Sequence, residues 1–222
     1  GITLAGADAG NYTMANARAQ TSANIAKADL TAVGGIRAGN KTYDGTRSVT
    51  LDPSGATFQG RFGDDVLSVA GATGAFSDKN AGDGKAVDIT GIALAGADAG
   101  NYTLVKATAQ TRANITRLDI AASVTAQHKT YDGHTGATTQ GTLDAVLGSD
   151  LVTLATNGSF ADRNAGSSKT VTVSGTLQGA DAGNYRLVHN ATTTANIDPL
   201  AINASITAHD KPYDGSTRAT TQ

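Results

Sequence analysis

The sequence predicts an all-β fold: tandem small β-sandwich modules of Ig-like type, strung into an elongated array. Three observations carry that expectation. All 19 acidic residues are Asp; Glu, a far better helix former, is missing. Gly at 27 residues, abundant Thr and only 5% aromatics fit many short strands joined by turns. Finally, four short motifs recur in fixed order, so the chain repeats itself.

Lys-Thr-Tyr-Asp-Gly occupies 41–45 and 129–133 and returns as Lys-Pro-Tyr-Asp-Gly at 211–215. Phe-x-Asp-(Lys/Arg)-Asn-Ala-Gly lies at 76–82 and 160–166. Gly-Ala-Asp-Ala-Gly-Asn-Tyr stands at 6–12, 96–102 and 179–185, and Ala-Asn-Ile at 23–25, 113–115 and 195–197. A spacing of roughly 80–90 residues is too long for a solenoid coil and suits a small domain. Two full copies are therefore expected at 28–116 and 117–198, with 1–27 ending a preceding copy and 199–222 opening a following one. The joins lack Gly/Ser or Pro tracts, which predicts close coupling; of the two outcomes open to the end pieces, packing against their neighbours is favoured over pairing end to end between molecules by strand addition.

Taken in chain order, each copy opens on a strand, Leu118, Ile120 and Val124 in one and Leu200, Ile202 and Ile206 in the next. Leu151–Leu154 and Val66–Val69 read as buried strands, and Thr156-Asn-Gly158 as a tight hairpin. Val87-Asp-Ile89 and Val171-Thr-Val173 alternate apolar and polar, as half-buried strands do. Residues 15–28 look helical by their alanines. The matching stretches, however, carry Thr108 and Thr111 or three consecutive threonines at 192–194, so all three are assigned as strand. The step Asp98-Ala-Gly-Asn-Tyr102 is like the tyrosine corner of Ig-like sandwiches. Tyr102 would pack inward, Gly100 would permit the tight backbone and Asp98 would close an Asx-turn; Asp181, Gly183 and Tyr185 repeat the set.

With these motifs the chain resembles the YDG repeat, carried by Tyr43, Asp44 and Gly45, by Tyr131, Asp132 and Gly133, and by the three motifs in register with them. The resemblance implies tandem modules from very large bacterial surface exoproteins related to filamentous haemagglutinin, often of the two-partner secretion type. It thus implies a secreted, cell-surface adhesin stalk serving attachment or biofilm formation, its partners neighbouring repeats and a host or matrix glycan or protein. Pro212 departs from the motif and removes one backbone donor.

Composition narrows the alternatives. A net charge of −2 leaves no positive footprint for nucleic acid. Zero Cys excludes disulfides and thiolate chemistry, and no apolar run approaches the roughly 20 residues of a membrane span. The chain reads as a soluble piece of something longer that inserts in no membrane. Paired carboxylates at Asp64 and Asp65 recur only as Ser149-Asp150 and read as solvated turn acids. Calcium is the sharper candidate, with Asp78, Asn80 and Asp83 as donors, then Asp162 and Asn164; the bland alternative makes Asp78 and Asp162 turn residues bonded to local backbone. Otherwise no cofactor is expected. His128, His134, His189 and His209 read as surface histidines, and sequons at Asn11, Asn40, Asn101, Asn114, Asn157, Asn190 and Asn203 follow from composition. No nucleophile elbow or phosphate loop occurs, so an enzyme is the weakest reading beside stalk and direct binder.

Overall fold

The computed structural model describes residues 1–188 and 191–221, so His189 and Asn190 lie outside the described residues. The chain is all-β. Among the described residues three single 3-10 turns occur, Ala9–Asn11, Ala99–Asn101 and Ala182–Asn184, each inside a Gly-Ala-Asp-Ala-Gly-Asn-Tyr motif. Two compact units form: residues 1–39, 48–76 and 86–112 in one, and 40–47, 77–85 and 113–222 in the other. Two loops of the first sequence repeat therefore belong to the second unit.

In the first unit the long strand Ser68–Phe76 pairs antiparallel with residues 87–95, interrupted by bulges, and Ser48–Val49 adds to its far edge. Ala32–Gly34 pairs with Thr57–Gln59 and Arg37–Ala38 with Leu51–Asp52. The opening strand Ala28–Leu30 runs parallel to Tyr102–Leu104. Val87 and Ile89 are buried and Asp88 is exposed, so the alternation read from the sequence sets the core face. Leu30, Val33, Ile36, Phe76 and Ile92 complete that core.

In the second unit Thr153–Phe160, Gly166–Gln178 and Ala191–Asp198 form the antiparallel centre of a sheet. Gly136–Ala137 closes one edge antiparallel and Lys129–Thr130 the other in parallel. The antiparallel pair Ala122–Ala126 and Thr139–Leu143 supplies Val124 and Ala126 to a core of Phe160, Val171, Val173, Ala195 and Ile197. Leu118–Ile120 runs parallel to Tyr185–Leu187, as in the first repeat. Lys41–Thr42, from the first repeat, pairs in parallel with Ile115 and Thr116.

Some local expectations need correcting. Thr156-Asn-Gly158 is no hairpin: it lies within the continuous strand, with Asn157 opposite Ser174 and Gly158 opposite Val173. Gly158 is required by packing, since a Cβ there would lie 2.4 Å from the Thr139 methyl. Apolar Leu151 and Val66 precede their strands and are 68% and 59% exposed. Residues 15–27 and 200–207 form no ladder, and Ile25, Ile202 and Tyr213 stand 99%, 87% and 97% exposed. A strand needs a neighbour to satisfy its backbone, and the end pieces show only isolated contacts, Ile2 N–H to the Ala17 carbonyl and a bridge between Ala208 and Thr221, so they do not pack as expected.

Candidate interlocking site

The Tyr-Asp-Gly loop is a local staple. Asp44 accepts the Thr46 N–H at 2.9 Å while the Lys41 ammonium donates to its Oδ1 at 2.7 Å and to the Thr46 carbonyl at 2.8 Å. Gly45 turns at φ 76°, in the left-handed region that favours glycine. Lys129, Asp132 and His134 repeat the arrangement, and Lys211, Asp214 and Ser216 do so even in the open third copy, with Gly133 and Gly215 at φ 79° and 73°. The lysine holds the Asp132 and Asp214 carboxyls below the usual range. Four residues thus settle the loop's shape without tertiary help.

The corner motif fixes a tyrosine in a second way. Tyr102 is 4% exposed; its hydroxyl donates to Asp65 at 2.5 Å and accepts the Phe62 N–H at 3.0 Å. Tyr185, 2% exposed, repeats this with Asp150 at 2.8 Å and the Leu147 N–H at 3.0 Å. Asp98 does not close an Asx-turn: it reaches across to accept the Val66 N–H at 2.7 Å, as Asp181 does with Leu151 at 3.0 Å. Nor do Gly100 and Gly183 take the unusual backbone. That falls to Gly96 and Gly179, at φ 107° and 113°, where a Cβ would lie 2.2 Å from the Val66 or Leu151 carbonyl oxygen. The acids reached by the tyrosines, Asp65 and Asp150, read as solvated turn residues in the sequence. Their occurrence just before Val66 and Leu151 in both copies is the signal that could have found them.

Within the second unit these two devices meet. Tyr43, from the first repeat, is 2% exposed and packs edge-on against Tyr185, ring centroids 5.6 Å apart. Its hydroxyl donates to Asp150 Oδ2 at 2.7 Å, beside that of Tyr185. Lys79 donates to Asp150 Oδ1 at 2.6 Å and lies 3.4 Å from Asp181 and 5.8 Å from the centre of the Tyr43 ring. Asn184, 4% exposed, accepts the Ala81 N–H at 2.9 Å and donates to Asn80 Oδ1 at 3.2 Å. Burial works against the Asp150 charge, but the Lys79 ammonium and two tyrosine hydroxyls outweigh it and lower its pKa. Burial, then the hydrogen bond to Asp150, raises Tyr43; the Asp150 carboxylate raises Lys79 well above its ordinary value. The cluster neutralises and satisfies itself, as a structural network must.

The remaining motifs hold bends. Asp78 accepts the Asn80 N–H at 2.8 Å and binds the Lys85 ammonium at 2.7 Å; Asp162 does the same with Asn164 and Lys169. The carboxylates offered to calcium thus already carry an ammonium, which lowers both pKa values. Exposed Asp83 sits apart, beside a hollow it lines with Arg117, Asp119 and Arg186, and no three His or Asp residues gather in metal-binding geometry among the described residues. The Asn of Ala-Asn-Ile caps a bulge: Asn114 accepts the Gly84 N–H at 2.7 Å and Asn196 the Ser168 N–H at 2.8 Å. Ser168 there adopts φ 49° where the first repeat has Gly84 at 58°. His128 accepts the Asn196 N–H through Nδ1 at 2.7 Å, the role of Asn40 toward Asn114.

No curated protein and no solved structure matches the chain. The family model of the YDG domain matches residues 26–111 and again 115–195. With the Tyr-Asp-Gly loops stapled alike and both corners built alike within the matched segments, the chain belongs to the YDG domain family, which it represents twice.

Proposed function

We propose that the chain is a structural spacer segment of a large secreted bacterial surface adhesin of the filamentous-haemagglutinin-like, two-partner-secretion kind, projecting an adhesive region for attachment or biofilm formation. The observation that carries this reading is the interlock in the second unit. Tyr43, Lys79 and Asn80 are spent on Asp150, Tyr185 and Asn184 of the following repeat, rather than presented to a ligand. A spacer needs such joints, because short linked contacts limit bending. The modules are read as small Ig-like sandwiches, supported by the two-layer core around Phe160 and Val171. The same self-satisfaction of polar groups supports a structural rather than catalytic role for the interlock residues.

One observation favours direct glycan binding as the second reading: an open hollow of about 740 Å3, partly polar, lined by Thr42, Asp83, Arg117, Asp119 and Arg186 among others. Binding of the chain to arrays of glycans and matrix proteins separates the two. The spacer reading expects background signal throughout, and a saturable, specific ligand would replace it with the binder.

A further inference from the structure

The interlock is a template for two surfaces on which the same motifs stand uncovered. Downstream, Tyr131, Arg163 and Asn164 of the second repeat correspond to Tyr43, Lys79 and Asn80 of the first. Arg163 and Asn164 are exposed, and Arg163 has no acidic partner among the described residues, whereas Lys79 meets two. Beside them lies an open hollow of about 390 Å3, lined by Tyr131, Asn164, Ala165, Pro199, Leu200 and Ile202. Upstream, in the first unit, Asp65, Asp98, Asn101 and Tyr102 correspond to Asp150, Asp181, Asn184 and Tyr185. Asn101 is exposed where Asn184 is buried, and Phe62 is 67% exposed where its counterpart Leu147 is half-buried.

We propose that these surfaces are the two halves of a head-to-tail docking interface, and that each is occupied by a second copy of this chain. Tyr131, Arg163 and Asn164 of one copy enter the corner formed by Asp65, Asp98 and Asn101 of the next. The charges complement each other: the corner offers two carboxylates and the entering face one cation. In the template a single ammonium lies within 4 Å of both acids, at 2.6 and 3.4 Å. A guanidinium, with five donors in a fixed fork, suits two carboxylates at least as well. The two faces differ, so the contact is heterologous and adds copy after copy until a ring closes or a filament grows. Pro199, Leu200 and Ile202 wall the hollow beside the entering face and would border the contact, while residues 1–27 and 203–221 stay largely exposed. The inference goes beyond the spacer reading, which stands whether or not separate copies join.

The test is sedimentation velocity of the full chain up to about millimolar, since an untethered joint lacks the effective concentration that linkage supplies. The expected result is a mass that grows with concentration and shrinks with added salt. Asn101→Lys should block the corner and Arg163→Asp the entering face, and both positions are exposed, so circular dichroism should match the parent. Each variant alone should remain a monomer, while an equimolar mixture should form a one-to-one dimer and stop there. A wild-type mass constant across the range, a mixture that stays monomeric, or growth untouched by either substitution would each overturn the interface.

Discussion

The corner around Tyr102 and the corner around Tyr185 have the same letters and the same internal bonds, yet different surroundings. Each tyrosine bridges a carboxylate and a backbone N–H, and each is buried. Around Tyr185, however, Tyr43, Lys79 and Asn80 close over the polar rim, so Asn184 is 4% exposed while Asn101 is open. The seven-residue motif sets its own turn, since Gly6 keeps φ 122° and Ala9–Asn11 stays 3-10, but burying the tyrosine takes the segment upstream, as Tyr12 at 71% exposure shows. What the covering loops add is desolvation, a second tyrosine hydroxyl and an ammonium on Asp150. Geometry here is local and electrostatics are borrowed.

The comparison is broken most severely by deleting the borrowed ring. Tyr43→Ala removes an edge-on aromatic contact, a charge-assisted hydrogen bond and a fully packed side chain, and should destabilise the second unit by about 4 kcal/mol. Tyr131→Ala, at the half-buried counterpart, should cost about half that or less. Urea unfolding of both variants reads the difference, and equal losses would show that the covering role of Tyr43 is energetically idle. Asp150→Ala comes next, at about 2 kcal/mol, because it removes the acceptor of two buried tyrosine hydroxyls and the shorter of the two ion pairs of Lys79, leaving that ammonium only Asp181. Asp65→Ala removes the partner of one hydroxyl and should cost less.

Acidification tests the same asymmetry. The Asp150 carboxyl has a folded pKa below its ordinary 3.8, so its contribution is fully present above that value and is lost as pH falls through the depressed one. Tyr43 and Tyr185 have pKa values raised above 10.0, so theirs is present below pH 10 and is lost as pH rises through the folded values. Stability measured against pH should therefore fall at both extremes. Asp150→Asn should flatten the part of the acid limb due to this carboxylate and leave those of Asp78 and Asp162, which are also depressed by lysines. An acid limb identical in wild type and Asp150→Asn would remove the ion pair from the account.

These outcomes also mark what the sequence could show. The Tyr-Asp-Gly loop is legible because Lys41, Asp44, Gly45 and Thr46 bond within five residues of one another. The strands at Thr108–Thr116 and Ala191–Asp198 are legible because the repeats vary around one conformation, with threonines standing where alanines mislead. The hairpin at Asn157-Gly158 misleads because glycine answers two demands, positive φ and close approach, and only Thr139, a residue on another strand, reveals which applies. Asp150 escapes notice for a similar reason. Its partners Tyr185, Lys79 and Tyr43 lie 35, 71 and 107 residues away, beyond any local pattern. The parallel pairing of Leu118–Ile120 with Tyr185–Leu187 likewise joins opposite ends of one repeat, which periodicity cannot register.

The smallest effect gives the cleanest comparison. Asn184 and Asn101 occupy one motif position, close the same kind of 3-10 turn and differ in cover. Asn184 satisfies the Ala81 N–H and donates to Asn80, so Asn184→Ala takes the acceptor from a half-buried backbone donor and one donor from the side-chain carbonyl of exposed Asn80. The net worth of such bonds is about 1 kcal/mol, somewhat more when a buried group is left unpaired. Asn101→Ala removes only solvated amide and should change stability by less than about 0.5 kcal/mol. Paired denaturation curves decide it, because the intrinsic preference of Asn for the turn cancels between the two positions. A difference near 1 kcal/mol assigns the excess to the covering loop, whereas equal losses would mean that the turn itself, rather than its neighbour, uses the asparagine.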